Sequence, residues 1–271
     1  MTTKHQNRSA KKLDNIKKQK GKYPELLMKI VNISDIIVEV LDARYPKETQ
    51  NKEIEKIIRE KGKKIIYVLN KSDLTRKREL WLNPKVFVSC KNKKGISELR
   101  NKIKEEAKNI RKSKNAYNRI QVGIIGYPNT GKSSLINLLI GRASARTGSD
   151  AGFTKSIQKL RLVEGIILLD SPGVIPKQEY SMTDEEKIAR HAKVGGRSYS
   201  QLKNSEIVLN EIAKENKEVL EKFYNINFND SEELIEILGR KKGLLQKGNE
   251  VNADRTARLI LKDWQLGKIK I

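Results

Sequence analysis

The side chains most suited to chemistry lie in the glycine-rich sequence Gly126-x-x-x-x-Gly131-Lys132-Ser133. Its spacing is that of a phosphate-binding loop, because glycines let backbone N–H groups turn inward and the helix that follows adds partial positive charge. We expect Lys132 to reach the β- and γ-phosphates of a nucleotide and the Ser133 hydroxyl to ligate Mg²⁺. An ordinary glycine-rich turn is the alternative, but the apolar run 120–125 predicts a strand before the loop, and a leucine-rich segment predicts a helix after it.

A second candidate segment, Asn70-Lys71-Ser72-Asp73, follows an apolar run that predicts another strand. The Asp73 carboxylate could accept hydrogen bonds from both N1–H and the exocyclic amine of guanine, two donors that adenine does not present together. Asn70 could hydrogen-bond across neighbouring loops, and the stem of Lys71 could cover the base. The tetrapeptide also suits a helix N-cap at Ser72 or Asp73, so both interpretations stay open on these residues alone.

A third segment, Ser89-Cys90-Lys91, follows a short predicted strand. The Cys90 N–H could donate to guanine O6, while Lys91 could lie against the opposite face of the base. We interpret the Cys90 side chain as a small packing residue rather than a nucleophile, because no histidine lies near it in the sequence. As the single cysteine it excludes an internal disulfide and fits a reducing compartment, so we expect a cytoplasmic protein.

Two segments after the phosphate loop could sense the outermost phosphate of a triphosphate. Thr154 ends a stretch without apolar periodicity, and it could complete the Mg²⁺ shell when that loop becomes ordered. Asp170-Ser171-Pro172-Gly173 follows a predicted β-hairpin. Asp170 would then hold Mg²⁺ through water, and the Gly173 N–H would contact the γ-phosphate.

The elements that must position these segments form an alternating pattern. Predicted strands alternate with helical segments up to about residue 180, which favours an α/β fold with about six mostly parallel strands. Later residues show helical spacing, with Trp264 predicted in the core rather than as a platform for a stacked base. The expected organisation is a basic arm at 1–22, a nucleotide-binding domain at 23–180 and a small helical RNA-binding domain at 181–271.

The net charge of +24 favours a polyanionic partner, above all nucleic acid. An anionic membrane surface would attract the same charge, but we expect no membrane contact, because no apolar run approaches ~20 residues and no helix has a bulky aromatic face. The arm at 1–22 is interpreted as a nucleic-acid contact, with a solvated tail as the alternative. Candidate RNA contacts are Lys11, Lys12, Lys17, Lys18, Lys241, Lys242, Arg255 and Arg258.

The order of the motifs resembles that of the circularly permuted GTPases of the YlqF/YawG type, which assist assembly of the large ribosomal subunit. The two base-recognition segments precede the phosphate loop, whereas in most GTPases they follow it. Asp42-Ala43-Arg44-Tyr45-Pro46 also resembles the aspartate-alanine-arginine signature of that family, and the stretch 248–258 resembles its C-terminal domain. A permuted domain keeps its fold because the old termini lie close together at the surface.

The resemblance implies a permuted P-loop GTPase domain that binds GTP and GDP, hydrolyses GTP slowly, uses Mg²⁺ and K⁺, and acts as a monomer on ribosomal RNA and the large subunit. Val174 occupies the position where many GTPases carry a water-positioning glutamine, so another group must do that work. His5 is a weak candidate for the catalytic histidine of the bacterial members, because it lacks their Gly-His-Met context. Asn129 resembles the asparagine of potassium-activated GTPases, in which K⁺ can replace an arginine finger electrostatically.

The resemblance carries the following assignments. Catalytic candidates are Asn129, Lys132, Thr154 and Gly173; Mg²⁺ candidates are Ser133, Thr154 and Asp170; Asn129 is the K⁺ candidate. GTP-binding candidates are Asn70, Lys71, Asp73, Ser89, Cys90, Lys91, Pro128, Asn129, Thr130, Gly131, Lys132, Ser133, Ser134, Thr154 and Gly173. Two alternatives stay open: a GTP-gated RNA-binding switch without turnover, and a GTPase that acts on tRNA or on small-subunit maturation.

Overall fold

The computed structural model describes residues 25–76, 81–114, 119–141, 157–171, 194, 199, 202 and 204–271. Its centre is one six-stranded sheet in the order β3-β2-β1-β4-β6-β5. All neighbours pair in parallel except β5, which is antiparallel to β6. The strands are β1 (Ile36–Asp42), β2 (Lys64–Asn70), β3 (Lys85–Phe87), β4 (Ile120–Gly126), β5 (Gln158–Val163) and β6 (Ile166–Asp170). The prediction of a mostly parallel α/β sheet is confirmed.

Burial explains which sequences became central strands. Every residue of β1 is buried, and so are most residues of β2 and β4, as expected for parallel strands covered on both faces. The edge strand β5 instead exposes the charged side chains of Lys159 and Arg161. Charges on an edge strand discourage pairing with another chain, which suits the outermost position.

Helices cover both faces of this sheet. One apolar cluster joins it to α4 (Ile96–Lys114) and α5 (Lys132–Ile140), whose buried residues include Leu99 and Leu135. The opposite cluster contains Ile30 of α1 (residues 25–33) and Ile58 of α3 (Lys52–Glu60); the short α2 spans Pro46–Thr49. The sheet is therefore the middle layer of an α/β/α sandwich.

Three further helices form a second packed group, here called the helical unit: α6 (Ser205–Tyr224), α7 (Ser231–Lys241) and α8 (Ala253–Gln265). The Asp230 carboxylate caps α7 by accepting from the Glu233 N–H, 2.8 Å away. Trp264 is 1% exposed, so its predicted place in the core is confirmed. None of the helices in the described part of the chain is long and apolar enough to cross a membrane.

The parallel arrangement brings the chemical motifs to one edge of the sheet. Asp42 at the end of β1 lies opposite Asn70 at the end of β2, and Ile124 near the end of β4 lies opposite Asp170 at the end of β6. The phosphate loop leaves β4 at the same edge, where ligands bind in open α/β sheets. The helical unit packs here as well, since Tyr45 and Tyr127 belong to its apolar cluster.

Candidate nucleotide-binding site

The phosphate loop has the backbone conformation that its glycines predict. Gly126 and Gly131 adopt φ values of +149° and +94°, and Asn129 between them also has a positive φ of 58°. A Cβ at Gly126 would overlap the Val40 carbonyl oxygen of the neighbouring strand. Only glycine therefore lets the chain leave β4 this close to β1 and still turn into the loop.

Lys132 begins α5 and turns its ammonium back into the loop. Its side-chain nitrogen donates to the Tyr127 carbonyl oxygen at 2.7 Å, and the Thr130 hydroxyl donates to the same oxygen at 2.9 Å. Burial is the main reason that the pKa of Lys132 is lowered to about 8; the Asp170 carboxylate opposes this effect, and nearby Lys71 adds to it. The negative charge of phosphate oxygens in the loop would stabilise the protonated form of this buried amine.

The next residue along α5 faces the end of β6. The Ser133 hydroxyl lies 3.4 Å from an Asp170 carboxylate oxygen, and Asp170 itself is fully buried. A hydroxyl and a carboxylate are hard oxygen ligands of the kind that Mg²⁺ uses beside nucleotide phosphates. These two residues fit the predicted metal. Thr154 and Gly173, the other predicted contacts near the γ-phosphate, lie outside the described residues.

Asn70 joins the two base-recognition segments to the phosphate loop. Its side-chain amide donates to the Thr130 carbonyl oxygen at 2.7 Å and accepts from the Cys90 N–H at 3.2 Å. We expected the Cys90 N–H to donate to guanine O6. In the structure it donates to the Asn70 side chain instead. Burial raises the pKa of the Cys90 thiol to about 12, which fits a packing residue and not a nucleophile.

Asp73 is oriented by the neighbouring base-recognition segment. The Ser89 hydroxyl donates to one Asp73 carboxylate oxygen at 2.6 Å and accepts from the Asn92 N–H at 3.1 Å. Asp73 is the second residue of a short 3₁₀ helix, Ser72–Leu74, whose N-cap is Lys71 with no side-chain cap hydrogen bond. The alternative interpretation, an N-cap at Ser72 or Asp73, is therefore wrong. Lys71 has a left-handed backbone with φ 61°, which is uncommon outside glycine.

A buried ion-pair network behind Lys71 was not predicted from the sequence. The Asp42 carboxylate is fully buried and accepts from the Lys71 ammonium at 2.8 Å. It also accepts from the Arg44 N–H at 3.0 Å and from the Arg44 guanidinium at 3.0 and 2.8 Å. Burial disfavours the charge on Asp42, but Lys71 and Arg44 outweigh that effect and hold the pKa of the carboxyl well below its usual range.

The same network reaches the helical unit. The second terminal nitrogen of Arg44 donates to the Trp264 carbonyl oxygen at 3.3 Å, and the guanidinium lies 5.5 Å from the Tyr45 ring centroid. The only sequence signal for this arrangement was an acid at the end of a predicted strand followed by an arginine and a proline. The hydrogen bond from Arg44 to a carbonyl oxygen more than two hundred residues away cannot be predicted from a local sequence pattern.

The remaining candidate residues differ in how deeply they are buried and in which groups they contact. Pro128 and Thr130 are buried, Ser134 is half-buried, and Lys91 is exposed. His5, Lys11, Lys12, Lys17 and Lys18 lie outside the described residues. Lys241, Lys242 and Arg255 are exposed, whereas Arg258 donates to Asp254 and to the carbonyl oxygens of Tyr199 and Leu202. Arg258 thus holds α8 to the segment before α6, and its contact with RNA stays a prediction.

Comparison with known proteins gives a consistent result. Residues 121–241 match the family described as 50S ribosome-binding GTPase. An uncharacterized GTP-binding protein of Methanocaldococcus jannaschii is 40% identical over 257 residues, which cover 90% of this chain and 65% of the relative. Nucleolar GTP-binding protein 2 of Saccharomyces cerevisiae is 34% identical over 90% of this chain and 51% of its own length. The chain thus spans about half to two-thirds of the length of these relatives.

The likeness extends to a solved structure. GDP-bound YlqF of T. maritima superposes with a TM-score of 0.60 at 25% identity, covering 89% of this chain and 94% of the other. At this coverage the match includes residues of both the sheet and the helices that follow it. In its matched sequence and in its fold, this chain is thus similar to the 50S ribosome-binding GTPase family and to the YlqF-like circularly permuted GTPases.

Proposed function

We propose that this protein binds GTP, hydrolyses it to GDP and phosphate, and acts as an RNA-binding assembly factor of the large ribosomal subunit. The observation that carries the proposal is Asn70, whose amide links the phosphate loop at Thr130 to the base-recognition segment at Cys90. That link supports one continuous site in which groups suited to a guanine base adjoin groups suited to phosphates. The family match supports the ribosomal assignment.

Guanine selection is assigned to Asp73. Its carboxylate would accept from N1–H and the exocyclic amine of the base, while the Ser89 hydroxyl fixes its orientation. Adenine would leave this acceptor without those two donors, which is the kind of mismatch that gives strong discrimination. The stem of Lys71, anchored through its ammonium to Asp42, would cover the plane of the base.

Phosphate binding is assigned to the loop and to Lys132, whose ammonium would exchange the Tyr127 carbonyl oxygen for phosphate oxygens. Ser133 and Asp170 would hold Mg²⁺, directly and through water respectively. When bound, the metal would neutralise charge that develops on the phosphates during transfer. Asn129, half-buried with a positive φ, is the proposed K⁺ ligand beside them.

A GTP-gated switch without turnover is the second candidate. It is favoured by Val174, because an apolar side chain cannot position the attacking water as a glutamine does. Under either function, rearrangement of the loop after Asp170 on loss of the γ-phosphate is proposed to alter RNA affinity through the helical unit. Equal RNA affinities with GDP and with a non-hydrolysable GTP analogue would refute that coupling. Monomeric state and cytoplasmic location stay predictions.

The deciding experiment measures GTP hydrolysis in K⁺ or Na⁺, each with and without purified large ribosomal subunits. Acceleration by subunits supports the assembly GTPase, and a K⁺ requirement that disappears in Asn129→Ala assigns the cation to that residue. Lys132→Met is the control for contaminating activity. Tight GTP binding with no hydrolysis under any of the four conditions would favour the switch.

A further inference from the structure

Two adjoining cavities form a groove between the sheet and the helical unit. The larger, about 800 Å³, is bordered by the turn Asp73–Arg76 after β2 and by the last residues, 268–271. The smaller, about 430 Å³, is bordered by the ends of α6 and α7. Phe223 and Lys268 line both, so we treat them as one feature, the interunit groove.

The interunit groove is strongly cationic. Its charged lining consists of Arg76, Lys222, Lys241, Lys242, Lys268 and Lys270 against the carboxylates of Asp73 and Asp263. Both carboxylates are already engaged, Asp73 by the Ser89 hydroxyl and Asp263 by the Lys268 ammonium at 2.6 Å. Within the described part of the chain, Arg76, Lys222 and Lys270 are exposed and have no acidic partner. The excess positive charge is therefore available to an anionic ligand.

The aromatic ring of Phe223 lines the same groove as these charged side chains. Phe223 is 41% exposed, in contrast to the buried aromatic core of the same unit, and Tyr224 holds it edge-to-face with ring centroids 4.8 Å apart. The groove beside it is floored by apolar side chains such as Leu74 and Ile269. A planar ring laid on Phe223 would cover apolar surface that is now open to water.

We propose that the interunit groove binds single-stranded RNA, with an unpaired base stacked on Phe223 and adjacent phosphates on Arg76, Lys222 and Lys270. Interleaved cations and an exposed aromatic ring are what a single strand requires, because its bases offer free faces and its backbone carries regular negative charge. A duplex hides those faces, and an acidic peptide would leave the aromatic ring and the apolar floor uncovered. The proposal rests on the RNA-binding function proposed above and specifies where RNA is held.

The groove also touches the guanine-recognition turn. Asp73 lines it, and the Leu74 carbonyl oxygen accepts from the Ile271 N–H at 3.0 Å. A strand lying in the groove would thus contact the same short turn that selects the base of GTP. RNA in the groove would therefore lie beside the turn 72–74, to which the guanine-recognition role is also assigned.

The test measures binding of a fluorescently labelled single-stranded oligouridylate of about 12 nucleotides by anisotropy. Phe223→Ala is expected to weaken binding about tenfold, while Phe223→Leu, which keeps apolar volume but loses the stacking face, weakens it comparably. Lys222→Gln with Lys270→Gln should reduce the slope of log affinity against log salt by about 1.4. The charge-matched control is Lys61→Gln with Lys64→Gln, exposed lysines at the amino end of β2, the opposite edge of the sheet.

The possible outcomes distinguish RNA binding in the interunit groove from RNA binding elsewhere on the protein. Loss of affinity in the groove variants but not in the control, with binding of fluorescent GDP unchanged, supports the proposal. Equal losses in both lysine pairs would show that bulk charge alone holds RNA and would overturn it. A wild-type protein that binds an acidic peptide in the groove and no single-stranded RNA would overturn it in favour of a protein partner. Wild-type RNA affinity in every groove variant would refute the groove while leaving the proposed RNA-binding function intact.

Discussion

Replacing Asp42 with asparagine is expected to lower the free energy of unfolding by about 3–5 kcal/mol, the usual cost of removing one partner from a buried ion pair. The carboxylate is fully buried and forms ion pairs with two cations, Arg44 and Lys71. Asparagine keeps the size of the side chain but presents an amide where both partners need an anion. Most of the cost comes from Arg44, whose side chain is 1% exposed; Lys71 is 23% exposed and contributes less because solvent screens it.

Urea unfolding at pH 7, followed by circular dichroism, measures this loss as a shift of the midpoint by about 1 M or more. Glu60→Gln is the matched control, since it removes a carboxylate from the exposed Lys56–Glu60 pair, 4.0 Å apart on α3. An exposed pair of this kind contributes less than about 0.5 kcal/mol. Equal costs for the two substitutions would refute the assignment of a stabilising network to Asp42.

The pH dependence of the Asp42 effect has a definite sign. The folded-state pKa of this carboxyl is held well below its ordinary value of 3.8. Its stabilising contribution is therefore present above the ordinary value and is lost as the pH falls through it towards the folded-state pKa. The difference in stability between the wild type and Asp42→Asn should stay constant from about pH 7 to pH 5 and shrink below about pH 4. A difference that grows in acid would contradict the network.

Three further substitutions or conditions test the nucleotide site. Gly131→Ala should reduce GDP affinity at least about tenfold because its Cβ overlaps the Asn70 amide, whereas Gly62→Ala, at φ +64° with open space around it, should cost only about 1–2 kcal/mol of stability and no affinity. Asp73→Asn should weaken GTP and strengthen xanthosine triphosphate, whose base carries an oxygen in place of the amine; competition binding measures both, and unchanged selectivity would refute the role of this carboxylate. Because the folded-state pKa of Lys132 is about 8, nucleotide binding should take up about 0.9 proton at pH 9 and almost none at pH 6.5. Calorimetry in buffers of different ionisation enthalpy reads this uptake, and none at pH 9 would show that phosphates do not meet this amine.

The sheet could be predicted because its strands are buried on both faces. The sequences of β1, β2 and β4 are nearly uninterrupted apolar runs, and parallel pairing then forces their carboxyl ends to one edge. The phosphate loop was predictable for a related reason: its glycines are needed at fixed spacing for positive φ and close approach. Both features depend on residues close together in the chain, and such residues form patterns that can be recognised in the sequence.

Contacts between distant segments could not be predicted in the same way. Nothing in the sequence shows that the Lys71 ammonium is paired with Asp42, or that the Cys90 N–H donates to Asn70. The burial of Tyr127 in the core of the helical unit is equally invisible, because the residue lies in a loop without periodicity. These contacts depend on how strand ends and helices meet in space, which pairs residues far apart in the chain.

Those distant contacts define how the nucleotide site is attached to the helical unit. Asp42 is shared between Lys71, beside the predicted base, and Arg44, which holds the Trp264 carbonyl oxygen of α8. Since the carboxylate has no exposure to water, neither cation can leave it without uncovering a buried charge. A displacement of Lys71 would therefore be transmitted to α8 through charge-assisted hydrogen bonds, and the phosphate loop has its own attachment at Tyr127. The segment predicted to bind the base and the loop predicted to bind the phosphates are thus attached to the helical unit by separate contacts.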